Sequence, residues 1–101
     1  MNNFENYIIE FSSRSRHHEK LARFILPELK KISNADILEF GVSEKGMSTE
    51  LFLEYSKINQ SKLYSVDTID YSSKFDDTNW NFILGRDDDF KLIETKIPKK
   101  F

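Results

Sequence analysis

Cysteine is absent from this chain of 101 residues, which excludes disulfides and thiolate metal sites and suits a reducing compartment. Neither sign of charge dominates. With 15 basic and 17 acidic side chains the formal net charge is -2, which argues against a nucleic-acid patch or a membrane-surface role. Basic residues gather at Arg14, Arg16, Arg23, Lys30 and Lys31, but Glu19 and Glu28 interrupt them. Long apolar runs are also missing: none approaches the ~20 residues of a membrane span, and the start, Met1 to Asn6, lacks the basic region and apolar core of a signal peptide. A water-soluble, cytoplasmic protein with no membrane partner is therefore expected. Internal repeats and low-complexity segments are lacking too.

What remains is enough for one small domain with a single hydrophobic core. Between His17 and Ile32, apolar Leu21, Phe24, Ile25, Leu29 and Ile32 recur at three- and four-residue steps and predict one buried helical face, with Pro27 kinking it or starting a new turn. Residues 36–42 read as a buried strand, apolar on both faces apart from Glu39, as parallel strands are. Ser48 or Thr49 can cap a following helix that ends near Asn59. Residues 62–67 and 80–85 read as two further strands, separated by a polar, acidic loop. One of Asp87, Asp88 and Asp89 can cap a last helix that Pro98 stops. The sequence thus divides into an N-terminal helical segment, 1–34, and a βαββα core, 35–101. The predicted class is α/β, with a short parallel sheet of about three strands flanked by helices.

Glycine is scarce, at three residues, and two of them, Gly41 and Gly46, flank one loop between a strand and a helix. Glycine allows a sharp turn and close approach to a ligand, and a helix start offers free N–H groups. A nucleotide or cofactor loop is the natural reading, and three ligand chemistries compete. A phosphate-gripping loop of the Walker type needs lysine where Met47 stands. A dinucleotide loop needs a middle glycine where Ser43 stands, and Glu39 and Glu44 would bring negative charge to a pyrophosphate. S-adenosylmethionine carries a sulfonium and an ammonium group and no phosphate, so acidic neighbours favour it.

Leu38-Glu39-Phe40-Gly41 followed by Gly46-Met47-Ser48-Thr49 resembles the first motif of the class I S-adenosylmethionine-dependent methyltransferases. Tyr64-Ser65-Val66-Asp67 resembles the second motif of that family, and Phe82-Ile83-Leu84-Gly85-Arg86-Asp87 the third. The resemblance covers residues 36–87 in the family's order. It implies a Rossmann-like three-layer domain and the cofactor S-adenosylmethionine. Gly41 and Gly46, with Ser48 in the same motif, would lie near its methionine part, and Glu39 would be a water-linked or loop-orienting acid. Asp67 would receive the ribose hydroxyls and Asp87 the adenine amine.

The family's domain continues with strands that carry the acceptor pocket, and the matching stretch here stops before them. The resemblance is therefore to a cofactor-binding portion, as a truncated product, a fragment, or a part that pairs with a second polypeptide. Catalytic residues are not identified, and the chain alone is expected to be inactive. An apolar strand edge left open would invite a second copy or another polypeptide. Two other readings stay open: a non-catalytic binding or assembly module, and another Rossmann-type nucleotide-binding protein.

Other polar residues read more simply. Adjacent His17 and His18 point about 100° apart on a helix and do not chelate as a pair. The acids Asp70, Asp76, Asp77 and Asp87 to Asp89 lack a calcium-loop spacing and read as solvated surface, so no metal is expected. Trp80, Phe82 and Phe90 are expected in the core or at its rim, and Tyr71 packed in its loop or stacked beside an adenine.

Overall fold

A computed structural model describes residues 3–32 and 35–98. The elements run α1 (Asn3–Ser13), α2 (Arg16–Lys30), β1 (Ile37–Phe40), α3 (Met47–Ile58), β2 (Leu63–Asp67), β3 (Trp80–Leu84) and α4 (Phe90–Lys96). The three strands form one parallel sheet in the order β1-β2-β3, with Phe40 opposite Val66 and Val66 opposite Ile83. Helices cover both faces, which makes this a small Rossmann-like α/β fold in three layers.

Alternation along the strands divides the core. On one face Tyr64, Val66 and Ile83 meet Ile93 and Ile97 at the end of α4, with Leu38 and Leu92 at the margin. On the other, Leu63 and Trp80 pack with Val42 and with Leu53 of α3, and Phe75 and Tyr71 of the β2–β3 loop close the cluster. A third cluster joins the helices: Ile8 and Phe11 of α1, Ala22 of α2 and Leu51 of α3. The link from β2 to β3 is a loop without a helix, so this parallel crossover is held by Tyr71 and Phe75 in the core.

The N-terminal segment holds two helices where one was expected. Phe4, Tyr7, Ile8 and Phe11 bury one side of α1, and Ser15 then caps α2, its Oγ accepting the His18 N–H at 3.2 Å. The chain continues helically through Pro27. The buried side of α2 is also rotated from the expected one: Ala22 and Leu29 are buried, with Leu21, Ile25 and Leu26 partly so. Phe24, counted in that buried face, is 76% exposed, and Ile32 lies beyond the helix end. Packing against both α1 and α3 selects the Ala22 side, where a small residue permits close approach.

Two expectations for the later helices also change. Gly46, in the left-handed region at φ 61°, precedes α3 and caps it without a side-chain hydrogen bond, so Ser48 and Thr49 lie inside the helix. Phe90 is 69% exposed because it opens α4 beyond the strand ends, where no sheet lies beneath it. Asp89 is the aspartate that caps α4, accepting the Leu92 N–H at 3.2 Å. Among the described residues no helix is long and apolar enough to cross a membrane.

Candidate functional site

The carboxyl ends of the three parallel strands converge on the loops that leave them, the position at which open α/β sheets receive ligands. After β1 the backbone turns through three residues of positive φ, Gly41 at 93°, Ser43 at 66° and Gly46 at 61°. The Gly41 N–H still donates to the Val66 carbonyl at 2.7 Å, so the turn begins in register with the sheet. A Cβ on Gly41 would meet nothing within 4 Å, which leaves that side of the loop open. Gly46 differs. A Cβ there would lie 2.7 Å from Lys74 Cε and 3.3 Å from Phe75, because the β2–β3 loop presses against it.

Asp67 ends β2 beside that turn. Its Oδ2 accepts the Val42 N–H at 2.8 Å and the Ser43 N–H at 3.5 Å, while Oδ1 accepts the Ile69 N–H at 3.0 Å. The Ile69 N–H first, and then those of Val42 and Ser43, hold the carboxyl below the usual aspartate range against the opposing effect of burial. A carboxylate has about four lone-pair positions, so these bonds leave acceptor capacity on Oδ1.

In front of Asp67 is a cavity of about 250 Å³, lined by Phe40 and Gly41 from the end of β1, Val66, Asp67 and Thr68 from β2, and Gly85 and Asp87 after β3. It is slightly below the ~300 Å³ lower range of small-molecule pockets. Gly41, Asp67 and Asp87, nominated separately from sequence, thus share one cavity. Its wall carries two carboxylates and no basic side chain, a setting that accepts hydrogen bonds from hydroxyls and amines and repels phosphate. The nearby cation Arg86 is paired with Asp88 at 2.8 Å.

Glu39, Ser48 and Gly46 fall outside this lining. Glu39 points to the α3 side of the sheet and is buried. Its Oε2 accepts from Ser48 Oγ at 2.8 Å, and its Oε1 from Thr49 Oγ1 at 2.7 Å and Ser65 Oγ at 2.8 Å. Ser65 Oγ in turn accepts the Trp80 Nε1–H at 3.0 Å. This chain of bonds fixes the start of α3 to β1, β2 and β3 from beneath, and so sets the position of the intervening loop. Ser65 and Trp80 were not nominated; the signal was a small hydroxyl residue between Tyr64 and Val66 in the central strand, with an indole two strands from Glu39.

Above the loop, Lys74 Nζ donates to the Glu44 carbonyl and stands 5.6 Å from the Tyr71 ring centre. Tyr71 therefore packs under the β2–β3 loop and does not line the cavity. His18 is occupied locally, its Nδ1 2.7 Å from Ser15 Oγ and its ring 4.8 Å from that of Phe11. Among the described residues no group of histidines and acids is arranged to hold a metal ion. The chain matches no family model, no curated protein and no solved structure.

Proposed function

We propose that the cavity at the strand ends binds the nucleoside part of S-adenosylmethionine, and that the chain is the cofactor-binding portion of a class I methyltransferase. The observation that carries this reading is the meeting of Gly41, Asp67 and Asp87 in one cavity without a basic residue. The remaining acceptor capacity of Asp67 suits ribose hydroxyls, Asp87 suits an exocyclic amine, and the open side of Gly41 lets a ligand approach the backbone. Glu39 acts through Ser48 and Thr49 to orient the loop, without touching the ligand. When bound, the cofactor supplies an electrophilic methyl group on a positively charged sulfur, and the two carboxylates favour that charge.

Transfer itself depends on holding donor and acceptor in line. The two acids of the lining, Asp67 and Asp87, are both engaged by the cofactor in this reading, so the cavity holds the donor and leaves no side chain of its own to take a proton from an acceptor. A cytoplasmic location fits its lack of cysteine. Calorimetric titration with S-adenosylmethionine, with NAD as control, tests the reading. Binding that Asp87→Asn and Asp67→Ala weaken, and that exceeds NAD binding, supports it; a folded chain that binds neither ligand, or NAD alone, removes it.

A second reading, of an assembly module, is favoured by the free side of β1. The Ile37 and Gly41 N–H groups point to β2, which leaves the alternate groups at Leu38 and Phe40 facing away from the sheet, and Phe40 is 51% exposed. A second copy or another polypeptide could add a strand there. Sedimentation showing a monomer at all concentrations would count against the copy.

A further inference from the structure

Helix α2 gathers its positive charge on one side. At about 100° per residue, Arg16, Lys20, Arg23, Lys30 and Lys31 fall with Phe24 inside an arc of ~120° that faces away from the buried Ala22 and Leu29. All six are exposed, and Phe24, at 76%, is more exposed than any other large apolar side chain among the described residues. Glu19 and Glu28 interrupt these bases in the sequence, but on the helix they stand at the two margins of the arc. There they pair with Arg23 at 3.5 Å and with Lys31 at 3.2 Å. Arg16, Lys20 and Lys30 form no ion pair among the described residues. Residues 16–31 thus hold five bases against two acids in a chain of formal net charge -2, so the rest of the molecule is acidic and the positive field is confined to this face.

The chemistry of this face selects its occupant. A protein interface has an apolar centre depleted of charge, whereas here a single ring stands among five cations. A bilayer takes up the apolar stripe of an amphipathic helix, and α2 already buries that stripe, Ala22 and Leu29 with Leu21, Ile25 and Leu26, inside the molecule. A phosphate backbone requires the reverse of both: cations repeated along a line, here over roughly 22 Å of helix. An exposed ring among them gives an unpaired base a surface to stack on. In a duplex the bases are stacked on one another, and Phe24 would have no counterpart.

We propose that the outer face of α2 binds single-stranded nucleic acid. Arg16, Lys20 and Lys30 donate to phosphate oxygens, and Phe24 stacks on a base. None of these residues lines the cavity at the strand ends, and the proposal does not rest on the cofactor reading.

The test is fluorescence anisotropy of the full chain with a labelled single strand of about 12 nucleotides. The matching duplex, polyglutamate and anionic phospholipid vesicles serve as competitors. Three unpaired cations predict a slope of log affinity against log salt of about -2, a roughly 20-fold loss between about 50 and 200 mM salt. Lys20→Gln should make that slope shallower by about 0.7. Phe24→Ala should weaken binding roughly fivefold or more and leave the slope unchanged. Both side chains are exposed, so each variant should melt with the parent. No binding at the lower salt, an unchanged slope in Lys20→Gln, unchanged affinity in Phe24→Ala, or competition by duplex, polyglutamate or vesicles as strong as that of the unlabelled single strand would each overturn the assignment.

Discussion

The Asp67 carboxylate accepts the Val42 N–H at 2.8 Å, which ties the end of β2 to the loop that leaves β1. The acid nominated for a ligand is therefore also a fastener of the loop that would surround it, and its two roles share one group.

Replacing that carboxylate should show both roles. Asp67→Asn should cost about 1–2 kcal/mol at neutral pH, the scale of charge-assisted hydrogen bonds. Because the native carboxyl titrates below its ordinary value, the stabilisation is fully present above the ordinary aspartate pKa of ~3.9. It is lost as pH falls through the lower native value. Urea unfolding of parent and variant should therefore give curves that separate at pH 7 and converge under acid.

Glu39 should matter more to stability than its absence from the cavity suggests. Glu39→Ala removes the acceptor of the buried Thr49 and Ser65 hydroxyls and of the half-buried Ser48 hydroxyl and should cost about 2–3 kcal/mol. Glu39→Gln keeps an acceptor and should cost less. Chemical denaturation monitored at Trp80, whose indole bonds to Ser65, reads both.

The two loop glycines should separate under the same substitution. Gly46→Ala meets a positive φ and a close Lys74 side chain, whereas Gly41→Ala meets a positive φ and open space. Both should lose about 1 kcal/mol from backbone strain. Gly46→Ala should lose somewhat more, limited by the freedom of Lys74 to move. Gly41→Ala should have the larger effect on S-adenosylmethionine titration, since its added methyl enters the open side of the loop.

Pro27 offers a gain. It sits in the interior of α2, exposed, where it withholds a backbone donor. Pro27→Ala should raise stability by about 1–3 kcal/mol, seen as a higher melting temperature.

The sheet was legible because its strands are short apolar runs that end in Phe40-Gly41, Asp67 and Leu84-Gly85, and each observed strand lies inside the predicted segment. The central β2 is buried along nearly its whole length, as a strand covered on both faces is, while β1 and β3 end in the exposed Phe40 and Leu84. Helix packing was less legible. Which side of α2 is buried depends on α1, whose own pattern of Phe4, Tyr7, Ile8 and Phe11 is only four residues deep and closes in the polar stretch from Ser12 to Arg16. The gathering of Gly41, Asp67 and Asp87 followed from the parallel order, since each stands just past a strand end. The bonds from Ser48 and Thr49 to Glu39 did not follow. A hydroxyl at a helix start serves equally as cap or as donor, and only the opposed buried acid decides between them.

Strand order also bears on how the chain reaches this state. Both pairings of the sheet use β2, and each brings together segments separated by a helix or a long loop. No hairpin is available to start the sheet locally, so loop closure must precede any strand contact. Helices α1 and α2, separated only by Arg14 and Ser15, can meet earlier around Phe11 and Ala22, whereas Leu51 of α3 joins them by closing a longer stretch of chain than either strand pairing does. Truncating Leu63 or Val66, on the strand that both pairings use, should therefore slow refolding more than truncating Ile93, on the outer helix.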